Sequence, residues 1–485
     1  MITLIYLTLG LLTSLLFPPY FFFPLGFIIF PSLCLLLDSN RKNNSSLNIF
    51  NNFSFFGFGF FINYLFWVKN PFFVFEETKN FFLVFLLLII LLSLILSLIF
   101  TIISNLGKKI PIFFLIPFMF TITEYIISII FYGFPWFTFS LVISSNEYLL
   151  FSLKSFGTLI SSYLIIQIFC LPFIFITKVN LKKEMRYFSF FIVLPIIILL
   201  ILNVNFKNNN LKTKTIDLEI FQLNFKNNDK SLVPEKKLNI IINNIQKSTA
   251  DLLIFGENNL PYLLDNLNLK ILKDSLKENQ VLIIGATRFE NNKYYNSLIS
   301  ITKSKVNYFD KKILVPFGEF LPLRDSLNFL ERIVGPNNFS NGNEQRLINL
   351  PNNISFIPVI CYEIVFYWKI INKLNYKSNF IINITNDFWF GKYLGPYQHF
   401  YHARIRAAEF NKPVIRVSNN GISGIIDSNG KIIKKTNLNV FQSFKHTLYI
   451  STGKNYFKTH EILKIYFFFL IILCIFFNLK KNESS

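Results

Sequence analysis

Cysteine and histidine are scarce in this chain: four of each in 485 residues. Cys34, Cys170 and Cys474 lie inside apolar runs, which leaves Cys361 as the one cysteine outside them. Such a supply argues against a disulfide framework, even in an oxidising compartment. The histidines, His399, His402, His446 and His460, form no CxxC or HExxH pattern. We therefore expect no metal and no other cofactor. His399 and His402 could share a helix face and read as two surface histidines. Acidic residues are also few, 27 against 48 lysines and arginines, for a net charge of +21. The basic residues are scattered, and no aromatic-basic module stands out, so no nucleic-acid partner is expected. There is no glycine-rich phosphate loop and no internal repeat.

What the chain does have is apolar length. It is 52% hydrophobic and 18% aromatic, with a mean hydropathy of +0.44. That is too apolar for an ordinary soluble protein. Apolar stretches near 2–17, 20–37, 50–68, 81–104, 112–131, 157–177 and 188–204 each approach the ~20 residues that cross ~30 Å of hydrocarbon as a helix. An eighth falls near 463–478. The first has no basic n-region and no A-x-A-like cleavage site, and reads as a retained helix. Positive charge marks every second connection: Arg41 and Lys42, then Lys108 and Lys109, then Lys178, Lys182, Lys183 and Arg186. The alternate connections carry less, for example Lys69 and Lys79 offset by Glu76 and Glu77. The positive-inside rule then places the N-terminus in the cytoplasm, the segment after 204 outside, and Lys480 and Lys481 inside again. Excess basic charge serves this topology and anionic head groups. Glu124, within the fifth stretch, is a costly carboxylate: either functional, or near an interface, or paired with a neighbour. Phe131-Tyr132-Gly133-Phe134-Pro135-Trp136 breaks a helix and suits an interfacial aromatic belt or a lipid-entry lip.

Residues 205–455 change character. Candidate strands are 218–223, 252–255, 281–286, 297–301, 356–360, 380–384, 414–417 and 424–427, with helices near 234–249, 265–278 and 399–411. Strands alternating with helices argue for a layered α/β domain. About 240 residues suffice for one core. The run Ile354–Ile360 is a buried strand that ends at Cys361-Tyr362-Glu363. A thiol at the C-terminal end of a central strand sits where α/β folds bind ligands, although most free cysteines are small buried hydrophobes. Glu257 follows the apolar run Leu253-Ile254-Phe255. Partial burial there would raise its pKa and suit a general base; the alternative is a strand-end charge facing water. Lys311, after Phe309-Asp310, could stabilise a thiolate and an oxyanion, or be one of many solvated lysines. With no evident Cys-His pair, Glu257 is the best available base for a Cys361 nucleophile.

In order and context, Glu257, Lys311 and Cys361 resemble the Glu-Lys-Cys triad of the nitrilase superfamily. The surrounding motifs resemble one of its families, apolipoprotein N-acyltransferase. They are Tyr294-Tyr295-Asn296-Ser297, Lys311 with Val315-Pro316-Phe317-Gly318-Glu319-Phe320, Cys361-Tyr362-Glu363, Asn386-Asp387-Phe388-Trp389-Phe390-Gly391, Gly395-Pro396-Tyr397-Gln398-His399, Ala403-Arg404-Ile405-Arg406-Ala407-Ala408-Glu409 and Asn419-Asn420-Gly421-Ile422-Ser423-Gly424. The resemblance spans nearly the whole chain, including Gly133-Phe134-Pro135-Trp136.

It implies eight transmembrane helices and an αββα nitrilase-like domain: seven helices in 1–204, an extracytoplasmic catalytic domain in 205–455, and a last helix with a cytoplasmic tail in 456–485. It implies a multi-pass monomer of the bacterial inner membrane. Cys361 would be the nucleophile, Glu257 the base and Lys311 the oxyanion-stabilising group. Glu319 would orient the lysine or the base, and Tyr362 and Glu363 would shape the site. The reaction would pass a fatty acyl chain from a phospholipid, through a Cys361 thioester, to the diacylglyceryl-cysteine amine of an apolipoprotein. Three positions depart from the family pattern: Phe255-Gly256 stands where Trp-Pro is frequent, Ile313 where a histidine is common, and no tryptophan follows 218–223. Two other readings compete: a membrane-tethered amidase with the same triad, and a transporter or receptor with an external binding domain.

Overall fold

The computed structural model describes residues 1–42, 45–74, 76–108, 110–176, 213–225, 232–326, 331, 337–372 and 374–451. The chain divides into two compact units. One comprises Met1–Phe66, Leu83–Asn210 and Tyr456–Ser485, and the other Trp67–Phe82 and Leu211–Asn455.

The first unit is helical: α1 (Ile2–Ser14), α2 (Gly26–Lys42), α3 (Ser46–Tyr64), α4 (Leu83–Leu106), α5 (Ile112–Ile129), the short α6 (Ser140–Ile143), α7 (Phe151–Phe169) and α8 (Leu171–Ile176). Among the described residues, four helical stretches are long and apolar enough to cross a membrane: Phe23–Arg41, Thr78–Leu106, Ile112–Ile129 and Phe151–Ile176. Counting the bent pair Ser46–Tyr64 and Phe66–Phe73 as one gives five. The stretch expected near 2–17 yields only the 13 residues of α1, about 20 Å at 1.5 Å per residue. Those expected at 188–204 and 463–478 lie outside the described residues, as do Lys178, Lys182, Lys183, Arg186, Lys480 and Lys481.

Small residues let α1 and α3 touch. A Cβ on Gly10 would lie 2.1 Å from the Phe56 carbonyl oxygen, and one on Gly59 would lie 2.3 Å from that of Leu7. Such close backbone approach is how apolar helices pack when hydrophobicity cannot sort them. Of the readings open for Glu124, pairing with neighbours is observed. Its buried carboxylate accepts from Phe139 N at 3.1 Å and from Ser162 Oγ at 3.2 Å. The expected aromatic belt needs correcting at one residue. Phe131 and Tyr132 are exposed, but Trp136 is fully buried, and its carbonyl accepts from Tyr64 Oη at 2.9 Å. The segment turns inward there because Phe137 and Phe139 join the cluster of Phe17, Phe60 and Tyr64.

The second unit is built on two six-stranded sheets. The first runs β12-β1-β2-β3-β4-β5, with β1 (Thr213–Gln222), β2 (Leu252–Phe255), β3 (Val281–Glu290), β4 (Lys293–Ile301), β5 (Val306–Asp310) and β12 (Gln442–Ser451). The second runs β11-β10-β9-β8-β7-β6, with β6 (Ile348–Leu350), β7 (Ile354–Ile360), β8 (Phe380–Thr385), β9 (Val414–Ser418), β10 (Gly424–Ile426) and β11 (Ile432–Lys435). At the centres, β1-β2-β3 and β7-β8-β9 are parallel. Parallel strands are covered on both faces and so read as unbroken apolar runs; all four residues of β2 and all six of β8 are buried. Helices make the crossovers: α9 (Pro234–Lys247) after β1, α10 (Asn266–Ser275) after β2, and α12 (Leu394–Phe410) after β8, with the single turn α11 (Tyr367–Ile370) after β7. Local sequence starts them well. Proline opens α9, where its missing N–H costs nothing. Asp265 caps α10 by accepting from Asn268 N at 2.7 Å, a device worth about 1 kcal/mol. Leu238, Ile241 and Ile245 then line one face of α9 and pack into the first sheet's core with Leu253, Phe255 and Ile284.

The segment Trp67–Phe82 belongs to this unit too. Trp67 Nε1 donates to Gln398 Oε1 at 3.0 Å, and Asn70 Nδ2 donates to the Phe390 carbonyl at 2.9 Å. The two sheets are stitched at their C-terminal ends. Thr385 O accepts from Asn419 N at 2.9 Å and from Glu257 N at 3.4 Å, and Asn419 O accepts from Asn224 N.

Candidate active site

Three strands from two sheets end at one place, and each delivers one reactive side chain. Glu257 lies two residues past β2, Lys311 directly past β5, and Cys361 directly past β7. All three are buried, at 5%, 1% and 7% exposure. Glu257 and Lys311 both act electrostatically on the Cys361 thiol, and Lys311 Nζ lies 3.6 Å from Glu257 Oε1.

Glu257 is fixed from two sides. Oε1 accepts from Asn296 Nδ2 at 2.7 Å, and Oε2 from the Asn386 N–H at 2.7 Å. Asn296 Nδ2 also reaches Glu319 Oε1 at 2.9 Å. Glu319 Oε1 takes the ammonium of Lys311 at 2.8 Å, while Oε2 accepts from Val315 N at 2.8 Å. The structure thus brings Glu257, Lys311, Cys361 and Glu319 into one cluster. Tyr362 and Glu363 follow the thiol into a single 3-10 turn, Cys361–Val365. The Tyr362 ring packs edge-to-face on Phe366. Glu363 turns to Arg346, which donates twice at 2.8 Å, and accepts from Ile360 N at 2.9 Å, Lys312 N at 2.8 Å and Ile313 N at 3.2 Å. One carboxylate therefore ties the end of β7 to the residues after Lys311.

Cys361 itself has φ of 50°, in the left-handed region. That costs a non-glycine residue about 1–2 kcal/mol and persists only where the surroundings enforce it. Here the Cys361 carbonyl is gripped by His399 Nε2 at 3.2 Å and Asn383 Nδ2 at 3.4 Å.

Charge is balanced unevenly. Burial, above all, raises the Glu257 carboxyl pKa; Glu319 adds to this and Lys311 opposes it. Burial would lower the Lys311 ammonium, yet Glu319, then Glu257, outweigh it and hold it above the ordinary lysine range. Burial and the Glu257 charge push the Cys361 thiol well up, with Lys311 opposing. The resting site therefore holds a thiol beside a carboxylate with raised proton affinity and a fixed ammonium. Such a set can move one proton from sulfur to carboxylate and stabilise an anion formed nearby.

The expectation of two surface histidines is corrected. His399 and His402 are both fully buried, because α12 is covered nearly all round and only its Tyr397, Tyr401 and Phe410 are partly open. Sequence reasoning also assigned no role to Asn296, Arg346, Asn383, Asp387 or Arg416. For Asp387 a signal existed, a carboxylate two residues past a buried strand, the same placement as Glu257.

Residues 9–171 match the family model described as apolipoprotein N-acyltransferase N-terminal domain, and residues 220–440 match that described as carbon-nitrogen hydrolase. An apolipoprotein N-acyltransferase of Rickettsia prowazekii is 30% identical over 454 residues, 90% of either chain. The chain belongs to the apolipoprotein N-acyltransferase family. A second member, from Allorhizobium ampelinum, is 40% identical over 202 residues; that match spans 39% of this chain and only 38% of the relative. Among solved structures, Saccharomyces cerevisiae Nit3, a member of branch 10 of the nitrilase superfamily, is 17% identical, with a TM-score of 0.37 over 50% of this chain and 92% of its own. The carbon-nitrogen hydrolase match falls within the second unit, the one that holds Cys361, Glu257 and Lys311. One departure from the family pattern has a local reason: a Cβ on Gly256 would sit 2.8 Å from the Asn419 amide nitrogen, where the two sheets are stitched.

Proposed function

We propose that this protein transfers a fatty acyl chain from a membrane phospholipid to the N-terminal amine of a diacylglyceryl apolipoprotein by a ping-pong route. The observation that carries the reading is the burial of Cys361, Glu257 and Lys311 together just past the ends of three strands, with Lys311 Nζ 3.6 Å from Glu257 Oε1, in a chain of this family.

In the first half-reaction Glu257 takes the thiol proton as the sulfur adds to the ester carbonyl. The carbonyl electron pair moves onto oxygen, where Lys311 and the Tyr362 N–H stabilise it. Collapse breaks the acyl–oxygen bond, and Glu257 returns its proton to the departing lysophospholipid alkoxide. In the second, the lipoprotein amine adds to the thioester, Glu257 removes a proton from nitrogen, and the thiolate leaves and is reprotonated. A thioester carries enough free energy to form an amide without a nucleotide. Glu319 holds Lys311 in line, and Glu363 and Tyr362 shape the turn that carries the thiol.

Both substrates are bilayer lipids, so the same reading makes the protein a monomeric, multi-pass enzyme of the bacterial inner membrane. Eight helices, seven in 1–204 and one in 456–485, would carry an extracytoplasmic αββα domain at 205–455. The test is intact-peptide mass spectrometry of the protein incubated with labelled phospholipid. A fatty acyl mass on the Cys361 peptide, released by a diacylglyceryl peptide as an amide, is expected. A protein that hydrolyses small amides but never traps an acyl chain would be an amidase, and the proposal would fail.

A further inference from the structure

Behind the thiol lies a closed ring of buried polar groups. Starting at the Cys361 carbonyl oxygen, His399 Nε2 lies at 3.2 Å, and its Nδ1 lies 2.8 Å from Asp387 Oδ1. Asp387 takes Arg416 Nη2 at 3.1 and 2.8 Å on its two oxygens. Arg416 Nη1 donates to Asn383 Oδ1 at 2.5 Å, and Asn383 Nδ2 returns to the Cys361 carbonyl at 3.4 Å. Every side chain in the ring is 0–1% exposed.

From this arrangement we infer that His399, with Asn383, is a positioning residue that aims the oxyanion hole. The inference rests on the proposed carbonyl attack by Cys361 and adds a device to it. A peptide group is planar, with its C=O and N–H pointing in opposite directions. The carbonyl of Cys361 and the N–H of Tyr362 are the two ends of one such plane. Gripping the carbonyl fixes the direction of the N–H in a turn whose φ of 50° is otherwise unfavourable. A hydrogen bond to the carbonyl also polarises the same amide, which strengthens its N–H as a donor.

The grip requires a proton on Nε2. Two states of the ring provide it. In the neutral tautomer Nδ1 accepts from Arg416 Nη2, 3.0 Å away, and in the imidazolium Nδ1 donates to Asp387. The remaining state, protonated on Nδ1 alone, would satisfy Asp387 but set the Nε2 lone pair against the Cys361 carbonyl oxygen at 3.2 Å and the Nδ1–H against Arg416 Nη2 at 3.0 Å, so these two contacts oppose it.

The test compares two small electrophiles on the full-length protein in detergent. Attack on p-nitrophenyl acetate moves an electron pair onto the carbonyl oxygen before p-nitrophenolate leaves and the Cys361 thioester remains. Alkylation by iodoacetamide displaces iodide from a saturated carbon and forms no oxyanion. His399→Asn, which has no donor at the Nε2 position, should lose roughly 10²-fold in maximal ester acylation rate, the scale of one oxyanion-hole donor. The half-saturating concentration should hold, and alkylation of Cys361 should change less than about threefold, since the thiol and its base are untouched. His399→Gln, with an amide nitrogen near that position, should recover part of the loss. Asn383→Asp, which keeps an oxygen for Arg416 but not the donor, should show the same split. Parallel loss of both reactions, no loss of either, or failure of both His399→Asn and Asn383→Asp to elute as folded protein would each overturn the inference. Absence of lipid acyl transfer in the unchanged protein would instead strike the proposed function and leave this comparison standing.

Discussion

Lys311 sits closer to Glu319 than to Glu257: 2.8 Å against 3.6 Å. The nearer carboxylate anchors the ammonium, which leaves the farther one less neutralised and better able to accept a proton. Asn296, donating to both carboxylates from one nitrogen, sets their separation. Glu319→Gln should free Lys311 to close on Glu257, lower the proton affinity of that carboxylate and misplace the ammonium. Acylation should fall about 10²-fold, the usual penalty for a misplaced group. Single-turnover measurement of Cys361 acylation checks this; an unchanged rate would leave Glu319 without a part.

The pH profile follows from the same charges. Burial first, then Glu319, raises the Glu257 pKa, and Lys311 only partly offsets them. The base works when ionised, so activity should be lost as pH falls through a value above the usual carboxylate pKa of about 4.3. Glu319 and Glu257 hold Lys311 charged well beyond neutrality, so loss of its charge should not limit the alkaline side below the ordinary lysine range. A kcat/KM profile with its acid limb at or below about 4.3 would contradict the assignment.

Much of this architecture is legible in the sequence, for physical reasons. The strands expected at 252–255, 356–360, 380–384 and 414–417 match β2, β7, β8 and β9 to within a residue or two, because central parallel strands must be apolar throughout. The edge strands β5, β6, β11 and β12 were not legible. Edges are half solvated and carry mixed sequence, as in Ile432–Lys435, where every side chain is at least partly open. Helix α12 begins at Leu394, before the expected residue 399, since Gly395 and Pro396 look like breakers yet lie in its first turn, where proline is tolerated. At the site, Glu257 and Cys361 each follow an expected strand and announce themselves; Lys311 follows β5, which was not expected, and stands out among the lysines only through the family resemblance. Arg346, Asn383 and Arg416 do not: they are joined to the site only through space, 17 to 33 residues from their partners Glu363, Asn383 and Asp387. The association of Trp67 with Gln398 spans 331 residues, and nothing local in either stretch signals it.

The Arg346–Glu363 pair is the brace between the thiol and the lysine. Burial would raise Glu363, but Arg346 and the backbone N–H groups of Ile360 and Lys312 hold it below the ordinary range. A depressed carboxyl contributes stability that is present above its unfolded pKa of about 4.3 and is lost as pH falls through the folded value. Arg346→Met should remove the countercharge and cost about 3–5 kcal/mol, since Glu363 stays buried without it. The melting temperature should drop accordingly at neutral pH, and the gap to the unchanged protein should narrow on acidification, because burial without Arg346 raises the Glu363 carboxyl and its protonation removes the uncompensated charge. Equal melting temperatures at neutral pH would show that the pair is dispensable.

Backbone contact also bears on where Glu257 stands, and one glycine tests this. A Cβ on Gly285 would lie 2.6 Å from Glu257 Cα, 2.6 Å from Asn258 N and 2.7 Å from Gly256 O. None of these atoms can rotate aside, so Gly285→Ala must push the loop that carries Glu257 off its position. The carboxylate shifts relative to the Cys361 thiol as a result, and a displacement of about 1 Å is worth roughly 10² in rate. Gly318→Ala supplies the contrast: its nearest neighbour would be the Val315 Cγ1 at 3.3 Å, in a loop bearing Glu319. A side-chain methyl yields by a few tenths of an ångström, so this second variant should keep most of its rate. Acylation of Cys361 by labelled phospholipid, measured for the two variants side by side, distinguishes them. Equal rates would mean that the β2–α10 loop can relax around the added methyl, and that Glu257 is held by Asn296 and the Asn386 N–H alone.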